Sequence, residues 1–149
     1  MEEFKVIIPE ESYQIIEFRQ ENLPAVAIIN VALKDFEPKE VFAWHCSIMI
    51  NLNDVVLNSM PSEEEVKIVD KFGDFLDEKI KGDPEKPNAL FVARITWNST
   101  RELIWRIYDP EIANEFLSKI IESEEYPRNF DYGIDQDAEW KLAEWHLSH

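Results

Sequence analysis

The stretch from Ser62 to Gly82 constrains the fold of this chain more than any other. Ser62 followed three positions later by Glu65 is a capping-box signature, and Glu63 and Glu64 stand where the N-terminal end of a helix attracts negative charge. Val66, Val69, Phe72, Leu76 and Ile80, joined by Ile68 and Phe75, recur at spacings of three and four and predict a broad apolar stripe on a helix running to about Lys81. Gly82-Asp83-Pro84 ends it. A stripe that wide needs a second apolar layer to bury it.

The layer is supplied by β-rich runs on both sides. Phe4 to Ile8 and Tyr13 to Arg19 come first, separated by Pro9, and a turn at Glu21-Asn22-Leu23-Pro24 leads into Ala25 to Leu33, where Ile29, Val31 and Leu33 share a face. From Val41 to Leu52, alternation places Phe42, Trp44, Cys46, Ile48, Ile50 and Leu52 on one side and His45, Ser47 and Asn51 on the other. Ala89 to Trp97 and Arg101 to Tyr108 read as a hairpin joined by Asn98-Ser99-Thr100. In that hairpin Phe91, Ala93, Ile95 and Trp97 are expected beside Leu103, Trp105 and Ile107, with Arg94, Thr96, Glu102, Arg106 and Tyr108 opposite. Asp109-Pro110 opens a second helix carrying Ile112, Phe116 and Ile120, which Tyr126-Pro127 breaks. Phe130 to Ile134 reads as a last strand, and Asp135 or Asp137 as the cap of a terminal helix reaching about Leu147.

This order predicts an α+β fold, a mainly antiparallel sheet with helices on one face and a ferredoxin-like second half. The 149 residues fit one domain, with a strand-rich part over about 1–55 and a ferredoxin-like part over about 56–149. Fifteen Lys and Arg against 31 Asp and Glu leave a formal net charge of −16, which repels phosphate backbones and excludes direct nucleic-acid binding as an expectation. The same charge suits a basic protein partner, or does no more than keep the protein soluble. No apolar run approaches membrane-spanning length, and the acidic start Met1-Glu2-Glu3 differs from the basic start of a secretory signal, so a cytoplasmic protein is expected.

Three short motifs carry a family resemblance: Met60-Pro61-Ser62-Glu63-Glu64-Glu65, the hairpin Val92-Ala93-Arg94-Ile95-Thr96 through Asn98 to Arg101-Glu102, and Asp137-Ala138-Glu139-Trp140. With these the chain resembles the domain of unknown function 695 family and that family's relative, the regulator of ribonuclease E activity B. It departs from the pattern at Ser59, where a glycine is usual, in a hairpin without glycine, and at Ala143, where an aromatic is expected. The resemblance supports the ferredoxin-like second half. The first family brings no activity, the relative implies a binding role, and neither supplies a catalytic residue.

The residues themselves point away from the common chemistries. Gly73, Gly82 and Gly133 form no phosphate-binding loop. Metal binding is not expected: His45 and Cys46, adjacent on a strand, point to opposite faces, and His146 and His149 lie at a chain end. Cys46 sits in an apolar row, as a buried thiol does. No cofactor and no catalytic residue is expected. The polar sheet face offers the remaining candidates, His45, Arg94, Arg106 and Tyr108, with Ser47 and Thr96 beside them. Either the two arginines form a positive platform for a carboxylate, phosphate or acidic peptide, or they pair across strands with Glu102 and other carboxylates. Trp140 and Trp145, five positions apart, cannot share one helix face, so one of them either anchors an interface or packs at the edge of the core.

Two readings of function follow: a non-enzymatic protein-binding or regulatory module that meets a basic partner, or a small-molecule binder or small enzyme using the polar sheet face. A third is self-association through an unpaired edge strand.

Overall fold

The computed structural model describes residues 6–148. Strand β1 (Tyr13–Gln20) and strand β2 (Leu23–Asn30) form a hairpin. Strand β3 (Trp44–Asn51) follows, then helix α1 (Glu63–Lys81), the hairpin of β4 (Ala89–Trp97) and β5 (Thr100–Ile107), helix α2 (Pro110–Ser123), strand β6 (Phe130–Gln136) and a short helix α3 (Glu144–Leu147). Both hairpins turn on two residues with positive φ: Glu21 and Asn22 at 51° and 67°, Asn98 and Ser99 at 46° and 62°. That backbone matches the twist of paired strands, so Thr100 opens β5 opposite Trp97 rather than completing a three-residue connection.

The strands form one six-stranded sheet in the order β1-β2-β4-β5-β3-β6, every neighbour antiparallel. With three helices this is the expected α+β architecture. Within it β3, α1, β4, β5, α2 and β6 follow one another, and their strands lie as β4-β5-β3-β6. The β1-β2 hairpin extends the sheet beyond β4.

Helix α1 forms where its cap and spacing require it. Ser62 Oγ accepts the Glu65 amide at 3.2 Å. The Glu65 side chain does not return to the cap; it is fully buried and takes the Arg128 guanidinium and the Asn53 amide, tying α1 to the start of β6 and to the loop after β3. On the helix face of the sheet, Val69, Phe72, Leu76 and Ile80 of α1 and Ala113, Leu117 and Ile120 of α2 bury Cys46, Ile48, Ile50, Leu103, Trp105 and Ile107. Removing such side chains from water is the main stabilising contribution, roughly 25 cal/mol per Å² of apolar surface.

The second face has a core of its own. Ala27, Ile29, Val92, Ala93 and Ile104 pack under Leu33, Phe36 and Phe42 from the segment between β2 and β3, and under Trp140 and Ala143 from the C-terminal segment. Only the two long helices therefore share one face, because the C-terminal segment has its own apolar residues to bury on the other.

Four local expectations are corrected. Phe4 and Lys5 lie outside the described residues, and Val6 to Ile8 form no strand. Val31 to Leu33, and Val41 and Phe42, expected as strand ends, lie in short 3-10 turns at residues 31–33 and 39–42. Phe42 joins the second core instead of the Cys46 row, because the chain changes direction at Ala43. The terminal helix is a single turn: Asp135 lies in β6, Trp140 takes a left-handed backbone at φ 60°, and only Glu144 to Leu147 is α-helical.

Candidate functional site

The faces that Arg94 and Thr96 occupy on the central hairpin depend on Val92. Phe91 stands opposite Trp105 and Ala93 opposite Ile104, which leaves Val92 as an extra residue in β4. A bulge of this kind reverses the inside-outside alternation beyond it. Phe91 and Trp105 face the helices, whereas Ala93 and Ile104 belong to the second core. Beyond the bulge Arg94 pairs with Leu103 and Thr96 with Arg101 toward the helices, while Ile95 pairs with Glu102 on the second face. The four candidate residues therefore do not gather: Arg94 and Arg106 occupy opposite faces of the sheet.

His45 and Arg106 do meet. They are register partners on β3 and β5, with Nδ1 and Nη1 at 3.3 Å. Arg106 is fully buried; its Nε donates to the Phe42 carbonyl at 3.3 Å, Nη1 to Asp137 Oδ2 at 3.0 Å and Nη2 to the Asp137 carbonyl. The guanidinium lies 4.9 Å from the Trp140 ring centroid, and Trp140 stacks on Phe36 at 5.5 Å. Asp137 also accepts the amides of Lys141 and Leu142. Burial pushes the Asp137 carboxyl up, but those amide bonds and Arg106 outweigh it and hold the group below its ordinary value. Burial, then the charge of Arg106, holds the His45 imidazole down at about 4. Arg106 and His45 are buried and the Asp137 side chain is nearly so, and their bonds fasten the C-terminal segment to the sheet. Tyr108 is half exposed and packs edge-on against Phe42, 6.5 Å between centroids, outside the cluster.

Arg94 belongs to a different place. Its Nη1 lies 3.5 Å from Asp70 Oδ1, and the same carboxylate takes the buried Arg101, whose Nε donates to Thr96 Oγ1 at 3.2 Å. These groups sit at one end of a groove of about 230 Å³ between α1 and the sheet extension. Asp70, Asp74 and Asp77, spaced four and three apart on α1, form its wall, and Ile28 and Phe91 form its floor. Tyr13 closes the rim, 6.4 Å from Phe91, with its hydroxyl donating to Glu11 at 2.7 Å. Burial and that hydrogen bond push the phenol above its ordinary value. Beyond the rim Ile15, opposite Ile28, is 66% exposed. Asp77 is engaged by Trp105 Nε1 at 2.8 Å and by Lys81 at 3.0 Å, whereas Asp74 has no ion pair among the described residues.

Burial pushes the Cys46 thiol up to about 12, which leaves no thiolate to attack a substrate. Among the described residues no group of three or more His, Cys, Asp and Glu is placed to hold a metal ion, and no helix is long and apolar enough to cross a membrane. His149 lies outside the described residues.

The groove residues Asp70, Asp74, Asp77, Tyr13 and Arg101 were not singled out from sequence. The aspartate spacing on one flank of an evident helix was the available signal. The face of Arg94 had a weaker one: Ala89-Leu90-Phe91-Val92-Ala93 is an unbroken apolar run that alternation cannot assign to a single side.

The model of a family of unknown function, DUF695, matches residues 13–145. The chain belongs to this family. The match to DUF695 begins with β1 and ends inside α3, so it takes in the groove, the Arg106 cluster and both cores. No curated protein and no solved structure matches the chain.

Proposed function

We propose that this DUF695 protein is a non-enzymatic regulatory module of the cytoplasm that holds a basic, amphipathic segment of a protein partner in the groove beside α1. The observation that carries this reading is an acidic helix flank next to uncovered apolar surface. Asp70, Asp74 and Asp77 stand over Ile28, Phe91 and the rim at Tyr13, with Ile15 exposed beyond. A helix laid there would run beside α1, cover the apolar strip and set its Lys or Arg against Asp74, whose charge is unpaired among the described residues. Arg94 and Arg101 neutralise Asp70 and confine the demand for a cation to the other end. A net charge of −16 speeds the encounter with a basic partner.

A ferredoxin-like arrangement of β3 to β6 supplies the rigid frame in this reading, supported by the strand order β4-β5-β3-β6. The resemblance to the regulator of ribonuclease E activity B also implies a binding role.

The test is affinity purification from native extract at low and then moderate salt, with wild type beside the double variant Ile15→Asp, Asp74→Lys. The expected result is one basic protein, lost as salt rises and absent from the variant. Equal recovery by both proteins, or recovery of nothing by wild type, overturns the proposal.

A further inference from the structure

The bulge that turns Arg94 toward α1 also turns Ile95 and Trp97 to the second face, and there they line a cleft of about 390 Å³. The size is within the range of small-ligand pockets, roughly 300–1,000 Å³. Phe18 from β1, Trp97 from the end of β4 and Trp145 from α3 supply aromatic walls, Ile95 and Met49 an apolar floor, and Glu102 a carboxylate. Phe18 and Trp145 are in tilted contact at 5.2 Å, and Trp97 Nε1 donates to the Gln20 carbonyl at 2.9 Å, which fixes that indole at the end of the β1-β2 arm. Ser47 Oγ donates to Glu102 Oε2 at 2.5 Å and orients the carboxylate. Across the strands Met49 stands between Glu102 and Asp131, so two acidic groups share this part of the sheet face. The titratable groups of the lining are Glu102 and the His146 imidazole, which packs edge-on against Trp145; no Lys or Arg lines the cleft, and among the described residues Glu102 has no ion pair.

We infer that this cleft is a binding site for an alkylammonium group, a quaternary or fully methylated amine. Aromatic faces attract a cation through their quadrupoles, and the attraction is largest for weakly hydrated cations, which lose little on leaving water. Glu102 supplies the countercharge inside a mostly apolar lining. A primary ammonium would lose its hydrogen bonds to water and find one carboxylate in exchange, and an anion would meet Glu102 and Asp131. The site lies on the opposite side of the sheet from the α1 groove and stands independently of the partner proposed there.

The experiment is a titration followed by tryptophan fluorescence and by the 13C-methyl signal of Met49. The probes are choline, its neutral isostere 3,3-dimethylbutanol, and a peptide carrying trimethyl-lysine. Saturable binding of choline or the peptide, with the neutral isostere at least tenfold weaker, is expected, and the tighter of the two cations distinguishes a free metabolite from a modified protein as the source. Trp97→Leu and Trp145→Leu should each weaken binding about tenfold and Glu102→Gln severalfold. Asp74→Lys on the other face should leave binding unchanged. Trp145 is 44% exposed, so its variant tests the site without threatening the fold. Equal affinity for the isostere, binding unaffected by Trp145→Leu and Glu102→Gln, or no saturable binding of either cation overturns the inference.

Discussion

Arg94 and Arg106 point to opposite faces of the same sheet. One residue, Val92, separates them: it adds a step to β4 that β5 does not match, so Arg94 meets Asp70 above the helix face while Arg106 meets His45 and Asp137 on the other. The arginines thus serve two sites rather than one platform.

For Arg106 the consequence is structural. Its guanidinium is the hub between Phe42, Asp137 and Trp140, all from segments that cover the second face. Arg106→Ala leaves the Asp137 carboxylate without its cation and opens a cavity, and should cost about 3–5 kcal/mol, whereas Arg106→Met strands the same carboxylate but keeps the volume and should cost less. Urea denaturation of the two variants checks the ranking. Equal and small losses would mean that the C-terminal segment is held by Trp140 packing alone.

A second buried pair sits at the other end of the fold. Glu65 is inaccessible to solvent and is bonded to Arg128 and to the Asn53 amide. The Arg128 guanidinium, then the Asn53 amide, hold its carboxyl below the ordinary range against the opposing effect of burial. Glu65→Ala should cost on the order of 3 kcal/mol, and Glu65→Gln less because the amide still accepts from Asn53. Hydrogen exchange at the first turn of α1 should rise in the alanine variant before it rises elsewhere.

Neither pair was legible in the chain: Glu65 reads as a capping-box residue, not as the partner of Arg128. Helix α1, its Ser62 cap and its buried Val69, Phe72, Leu76 and Ile80 follow from residue spacing, although Ile68 and Phe75, expected in the same stripe, are exposed. Alternation places His45 and Arg106 each on a polar strand face, but it does not make β3 and β5 neighbours. The faces of Arg94 and Trp97 were not legible: the bulge sits in an apolar run where every residue suits either side. Nor was the burial of His45, since the covering Phe36, Phe42 and Trp140 come from distant segments with no periodic pattern. The cleft at Trp97 and the groove at Asp74 both depend on these unreadable steps, which is why neither appeared as a motif.

Cys46 offers a direct probe of the helix-side core. It is wholly buried between β5 and β6 partners, and burial alone pushes its thiol up to about 12. A thiol reagent at neutral pH should leave the native protein unlabelled and modify Cys46 only along the urea unfolding transition. Labelling in the absence of denaturant, at a rate far above that of global unfolding, would show that β6 opens locally.

The pH dependence of stability isolates His45. In the fold the imidazole faces Arg106, His146, Asp137 and Asp135; burial is the main cause of its depressed value of about 4, with Arg106 and His146 adding to it and the two aspartates opposing it. In the unfolded chain it takes up a proton near its ordinary value of 6.5. Between these values the unfolded state binds the extra proton, so stability is complete above pH 6.5 and declines as the pH falls toward 4. From pH 7 to pH 5 the loss should be about 2 kcal/mol. Stopping at pH 5 limits the contribution of Glu65 and Asp137, whose carboxyls are held low in the fold and whose stabilisation is lost at more acidic pH. His45→Gln should flatten the wild-type slope over that window, measured by urea midpoints at half-unit steps. Parallel slopes for the two proteins would show that the imidazole protonates in place, with Asp137 and Asp135 near enough to hold the charge.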